Sequence, residues 1–455
     1  MCLVHTCREN TYWTSDSFSS VYVFLFSLPA DTDGKKVHLT MSTHEANGEK
    51  KSELSPPPLE FARFIEVEQI DDGLNSQQRD GEQRERTETF RNLTAAVAPV
   101  QGINRVFGGY VSAQAAYAAF KTVPEGFLIH VGFMFIPLPS SLSSPFREKE
   151  MTLLGRIITQ EKLNEQNISG SYVLQGHTDV PFIYTVRHIR DGKNYAVRAV
   201  DARQGGRICF TCLCSFKRAE KYAPFSHQPI PLQETYKSLL AGKKPQDHLP
   251  SPGVDVDWFI EQVKEGYVEE GEFPGVFAKK VDMQDFNQRD EVKREPDRYR
   301  QLLLYSLRSP PDGSGGDKRY SNQDLQVLKQ REDAGEFDNL YACAHLYACD
   351  KNSLFVAARA LDHQKPMAIA SLSMTVIFHR RNSPLRMVDW DAAFSRKDQQ
   401  EGPLPMKWYI QENWTPGSGD NRVGFESRIF APDGTLLATV LQDGQLRLAD
   451  PDSKL

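Results

Sequence analysis

The sequence predicts an α+β fold in which a sheet wraps around a helix, twice along one chain. Three observations carry this expectation. The first is helical period from Phe337 to Leu361: Cys343, Leu346, Leu354, Ala357 and Leu361 fall on one stripe by steps of three, four or eight. The second is a strand, where Leu372, Met374, Val376 and Phe378 alternate with Ser371, Ser373, Thr375 and Ile377. The third is repetition: a small-residue helix, a strand and a closing hairpin occur in each half.

Asp350 lies four residues after Leu346 and four before Leu354. It is therefore expected to project from the middle of the apolar stripe, where a carboxylate is costly to bury unless it is paired or used. Ala342, Cys343, Ala344, Ala348 and Cys349 would let a sheet approach the helix closely. A polar site is expected where this helix meets the following strand.

Composition narrows the class. The chain has 455 residues, 40% of them apolar and 25% charged, enough for two or three domains. A net charge of −6 argues against a general nucleic-acid binder. Cys209 and Cys212 have zinc-like spacing, but no second pair accompanies them, so buried free thiols in a reducing compartment are expected. No apolar run reaches the ~18–20 residues of a membrane helix. Val21–Leu28 is apolar, but no basic segment precedes it. Ser453-Lys454-Leu455 is the tripeptide that the peroxisomal import receptor reads as an address, and a matrix location follows from it. The sequons at Asn92 and Asn167 are then without meaning.

In chain order, residues 1–58 are expected to be an unstructured extension, with Met41 as an alternative start. Leu59–Ile70 has the pattern of a short amphipathic helix, and residues 71–91 that of a charged loop. Arg105–Val123 is a second small-residue helix, stopped by Pro124. Gly108-Gly109 at its start permits close packing, and its free N–H groups are suited to holding an anion or polarising a carbonyl. Strands follow at Phe127–His130, Ser171–Leu174, Phe182–Ile189, Tyr195–Val200 and Arg207–Phe216, with turns at Asp191-Gly192 and Gln204-Gly205-Gly206. Residues 222–253 read as a linker. The second unit, 254–450, contains a flexible loop at 309–316, the helix and strand described above, and a last hairpin around Pro432-Asp433-Gly434. Superposing Gly206 on Gly434 places Cys214 where Gln442 sits, so only the second half keeps a polar set.

Several of these motifs occur together in a known family. RVFGGYVSAQA, the following TVPEG, DGKNYAVRAVDARQGGR, IFHR and LLATVLQDGQLR resemble the type II acyl-CoA thioesterases. The resemblance covers roughly residues 59–130 and 169–450. It implies a double hotdog, with two antiparallel sheets each wrapped around a long central helix, and an acyl-CoA substrate with no cofactor or metal. It also implies a catalytic set of Asp350, Ser371 and Gln442. Ser373 and Thr375 are alternatives to Ser371 by strand alternation. Assembly into a homo-oligomer is compatible with the family.

The chemistry agrees with this set. A thioester carbonyl needs a nucleophile and an oxyanion donor. No Gly-x-Ser-x-Gly elbow is present, which leaves water as the nucleophile. Asp350 would activate it, Ser371 and Gln442 would hold it, and amides near Gly108-Gly109 would receive the oxyanion. His379, beside the strand, is a further candidate. The same fold would also serve a non-catalytic acyl-CoA-binding protein or a hotdog enoyl-CoA hydratase, which pairs its Asp with a His.

Val131–Ile168 has no place in the family pattern and interrupts a core strand. Insertions belong at loop tips, because one within a strand breaks the ladder. Translated intron is one expectation. A real excursion that leaves and re-enters the sheet is the other.

Overall fold

The computed structural model describes residues 54–71, 86–100, 104–129, 168–220, 226–268, 270–362, 367–395 and 403–448. Most of the N-terminal extension, Met41, most of the Val131–Ile168 segment and the Ser453-Lys454-Leu455 tail lie outside them.

The first half contributes β1 (Val67–Ile70), β2 (Thr87–Asn92), helix α1 (Gly108–Phe120), β3 (Phe127–Ile129), β4 (Ile168–Tyr172), β5 (Ile183–Asp191), β6 (Tyr195–Gln204) and β7 (Arg207–Arg218). The second contributes β8 (Leu249–Pro250), β9 (Val276–Lys280), β10 (Gln301–Leu307), helices α2 (Asp338–Cys349) and α3 (Phe355–Ala360), β11 (Met367–Phe378), β12 (Tyr409–Trp414), β13 (Ser418–Gly419), β14 (Arg422–Phe430) and β15 (Leu436–Leu448). In the first half the strand order is β1-β2-β5-β6-β7-β4, and in the second it is β9-β10-β12-β14-β15-β11. The two orders match element for element, as duplication requires, and β8 extends the far edge. The fold is a double hotdog. Its two sheets are continuous, because β4 pairs with β11 through Met374 opposite Gly170.

Each strand's burial follows its alternation. In β7, Phe210, Cys212, Cys214 and Phe216 are buried towards α1. β10 is buried along its whole length, because both of its faces are covered. Tyr305 and Leu307 join the main core, while Leu302 and Leu304 meet Leu232, Tyr236 and Met283 on the other face. The connector between the halves therefore packs across the back of the second sheet, and the Tyr236 hydroxyl donates to Glu412 at 2.6 Å.

Some local expectations are corrected. Only Phe61–Phe64 is helical in the amphipathic stretch at 59–70, and Val67–Ile70 pairs with β2 as an edge strand. Thr87–Asn92 is that partner strand rather than loop. Phe90 is buried and the adjacent Arg91 is exposed, so the charge density hid a half-buried strand. The helix from Phe337 is interrupted at Asp350–Leu354. Asn352 takes φ +59° there, a left-handed conformation that Asn tolerates. Asp350 therefore stands at the C-terminal end of α2 and not in mid-helix.

α1 and α2 run antiparallel. Gly109, near the start of α1, is so close to Tyr347 near the end of α2 that a Cβ there would lie 2.6 Å from the Tyr347 carbonyl oxygen. Asn339, at the start of α2, binds the Phe127 carbonyl and the Ile129 amide just beyond the end of α1.

Candidate active site

The crossing of the two helices brings Asp350 of the second half to the N-terminus of the first-half helix. Phe107 precedes α1 and has no side chain able to cap it. The Asp350 carboxyl takes that place. A Cβ on Gly108 would lie 2.8 Å from Asp350 Oδ2, and the Gly109 amide favours the ionised carboxylate.

The other carboxyl oxygen is held within the second half. Asp350 Oδ1 accepts from Gln442 Nε2 at 2.9 Å and from Ser353 Oγ at 3.1 Å. Gln442 Nε2 also donates to Ser371 Oγ at 2.7 Å. The three residues expected from the sequence thus form one connected cluster with Gln442 at its centre. Asp350 is 6% exposed and Gln442 5%. Burial raises the Asp350 pKa to about 6, against the opposing pull of Gln442, Ser353 and the Gly109 amide. Among the described residues Gln442 Oε1 has no donor.

Ser371 reaches this cluster because β11 is irregular. Its register against β15 shifts between Ser371 and Ser373, so Ser371 stands opposite Gly444 while Met374 stands opposite Gln442. The bulge moves Ser371 onto the helix-facing side with Met374 and Val376. Ser373 and Thr375 stay on the other face, away from the cluster. His379 is exposed and bonded to Thr439 Oγ1 at 2.9 Å, away from the cluster. Cys209, Cys212 and Cys214 are buried free thiols, and no metal-ligand group occurs among the described residues.

A cavity of about 100 Å³ opens beside Asp350 at the junction of the halves. Val106, Tyr172 and Phe182 line it from the first half, and Leu354, Ile369 and Ser371 from the second. Gly108 is on its wall. Its lining is apolar apart from the Asp350 region, Lys351 and Arg105.

Sequence reasoning did not single out Ser353, Tyr172 or Lys351. Ser353 had a signal, a hydroxyl three residues after Asp350 in a run of helix-breaking Asn and Ser. Tyr172 had none. It packs in a tilted arrangement on Phe210 with ring centroids 4.9 Å apart, and its hydroxyl lies 3.1 Å from the Cβ position of Gly108.

The equivalent place in the first half is apolar. Ile129 stands opposite Phe216 as Ser371 stands opposite Gly444. Cys214 follows the bulge beside its hairpin by the same four residues as Gln442 follows its own. Aligning Phe107 with Phe337, the residues that precede the two helices, places Phe120 at the position of Asp350. The Asn339 side chain fills the space corresponding to Gly109.

Comparison with known proteins agrees with this architecture. Residues 153–217 match the model of the acyl-CoA thioesterase N-terminal domain. The chain is 24% identical over 349 residues to acyl-coenzyme A thioesterase 8 of Mus musculus, covering 76% of this chain and 81% of that protein. The Homo sapiens protein of the same name is 23% identical over 353 residues, with the same coverage. Among solved structures it is similar to the acyl-CoA thioesterase II TesB2 from Mycobacterium marinum, at 17% identity and a TM-score of 0.47, over 86% of this chain and 99% of that one. The family model and these relatives thus support the resemblance of this chain to the type II acyl-CoA thioesterases.

Proposed function

We propose that the chain hydrolyses fatty acyl-CoA to free acid and CoA, using water activated by Asp350 and held with the help of Gln442 and Ser371. The observation that carries this is the buried Asp350–Gln442–Ser371 cluster, set against an apolar cavity and a helix N-terminus. A carboxyl with a pKa near 6 is ionised at neutral pH, yet basic enough to take a proton from water. Gln442 fixes one oxygen of the carboxylate and leaves the other towards the cavity side. Its unpaired Oε1 suits a water proton. Water attacks the thioester carbonyl and Asp350 receives the proton. The Gly108 amide, at the positive end of α1, stabilises the oxyanion. Collapse of the tetrahedral intermediate breaks the C–S bond, and the proton passes from Asp350 to the departing thiolate.

A hydratase reading loses its support, because neither His345 nor His379 joins the cluster. His345 is wholly buried between the Tyr305 hydroxyl and the Leu385 carbonyl, and burial lowers its pKa to about 4. The C-terminal Ser453-Lys454-Leu455 supports delivery to the peroxisome matrix. A fluorescent fusion that keeps this terminus should mark peroxisomes, and one without the three residues should not. Function is tested by thiol release from a long-chain acyl-CoA by the parent and Asp350→Ala. Turnover that survives the substitution would place the chemistry elsewhere. Binding without turnover in the parent would favour the non-catalytic reading.

A further inference from the structure

Lys351 follows Asp350 and lines the same cavity, yet hydrolysis as proposed leaves it without a role. It is 3% exposed. Its ammonium donates to the Pro252 carbonyl at 2.9 Å and stands 4.4 Å from the centre of the Phe273 ring. Two carboxylates act on it at longer range, but both are engaged elsewhere. Asp255 is bound by Lys280 and Arg359, and Glu270 accepts from the Gly253 amide. Among the described residues, then, no carboxylate pairs with this buried ammonium.

An unpaired charge out of water is costly, and burial lowers the Lys351 pKa to about 8. Packing alone does not require the charge, since a Met would fill the same path with its apolar stem. The ammonium is also held in position. Asn352 donates to the same Pro252 carbonyl at 2.8 Å and to Ser251 Oγ at 3.1 Å, which binds the Lys351-Asn352 turn to the 251–252 backbone. Arg105 lines the cavity from the first half, and burial lowers its pKa as well. A buried ammonium and a half-buried guanidinium therefore border a space that is otherwise mainly apolar.

We propose that Lys351, together with Arg105, forms an anion subsite that holds a negatively charged group of the thioester substrate. This rests on the acyl-CoA reading above. Such a substrate offers that chemistry from two sources: the phosphates of the CoA end, or a carboxylate at the far end of the acyl chain. The ammonium would complete its hydrogen bonding with the anion while keeping Pro252.

The test compares the parent, Lys351→Met and Lys351→Arg on four thioesters. These are a saturated acyl-CoA, the ω-carboxy acyl-CoA of equal length, and the pantetheine thioester of each acyl group. Lys351→Met is expected to raise KM about tenfold for substrates carrying the recognised anion, with kcat held, and Lys351→Arg to restore most of it. If the anion is phosphate, both CoA thioesters respond and both pantetheine thioesters do not. If it is the distal carboxylate, only the two ω-carboxy substrates respond. An equal change across all four, or no change in any, overturns the subsite. Arg105→Gln should follow the same pattern, and serves if the Lys351 variants fail to fold. A parent inactive on all four would sink the hydrolysis reading instead. The subsite is then judged by calorimetric titration with CoA and with a free dicarboxylic acid, and binding of both unaltered by Lys351→Met overturns it.

Discussion

A methyl group on Gly108 would come within 2.8 Å of Asp350 Oδ2, a contact between the helix start of one half and the carboxylate of the other. Glycine here is a requirement of close approach, since its φ is not in the left-handed region. Gly108→Ala should push the carboxyl off the start of α1 and disturb the donor proposed for the oxyanion. The expected result is a loss of about tenfold to a hundredfold in kcat, with a Tm close to that of the parent. Full activity in that variant would show that the approach is incidental.

Asp350 should also reveal itself through pH. Its pKa is raised from 3.8 to about 6 by burial. The native state therefore holds a proton that the unfolded chain has released between these values, so stability falls as pH rises through that window. Below about pH 3 the group is protonated in both states and has no effect. Above pH 6 its ionisation costs about 3 kcal/mol. Asp350→Asn should thus be more stable than the parent at pH 7 and equal to it near pH 3, while losing about a hundredfold or more in turnover. In the parent, kcat/KM should fall below an apparent pKa near 6. Thermal melts and a pH–rate profile check both halves of this prediction.

Gln442 and Ser371 should not be equivalent. Gln442 touches Asp350 directly, whereas Ser371 is linked to it only through Gln442. The Gln442 hydrogen bond also opposes the burial-driven rise in the Asp350 pKa. Gln442→Ala should lower kcat strongly and move the acid limb of the pH profile upward. Ser371→Ala should lower kcat less and leave the limb nearly in place. The reverse order of effects would argue for a direct role of the Ser371 hydroxyl.

Residue spacing singled out Asp350, whereas Ser371 and Gln442 came from the family resemblance, and two features of the site were legible in neither. Helical period drew attention to Asp350 but carried the helix through it, because period does not register the low helix preference of Asp350, Asn352 and Ser353. Strand alternation put Ser371 on one face with Ser373 and Thr375, whereas the bulge separates them. A bulge changes register through backbone geometry, and apolar alternation carries no mark of it. The duplication was visible in the hairpins, since the turns at Gly205-Gly206 and Gly434 fix equivalent registers. The joining of the two sheets through β4 and β11 depends on how the halves dock, and local pattern says nothing of that.

The interrupted strand gives the last prediction. β3 and β4 lie along the same edge of β7, with Ile129 opposite Phe216 and Ser169 opposite Leu213. Continued in the register of β3, residue 132 would face Leu213, where residue 169 does. The offset is 37 residues, the length of the segment 131–167. We propose that this segment is dispensable, so that His130 joined to Ile168 would continue one strand without a change of face. A chain lacking 131–167 should fold with a Tm no lower than that of the full chain, because the join breaks no ladder pairing of β3 or β4. It should also retain thiol release, since Tyr172 and the β4–β11 junction keep their registers. Deletion of 36 or 38 residues should instead turn the following side chains to the opposite face and destabilise the first half. Equal stability of all three deletions would show that the register match is accidental. A tryptic peptide from within 131–167 in native extract would show that the segment is translated, which excludes a gene-model intron and leaves the excursion.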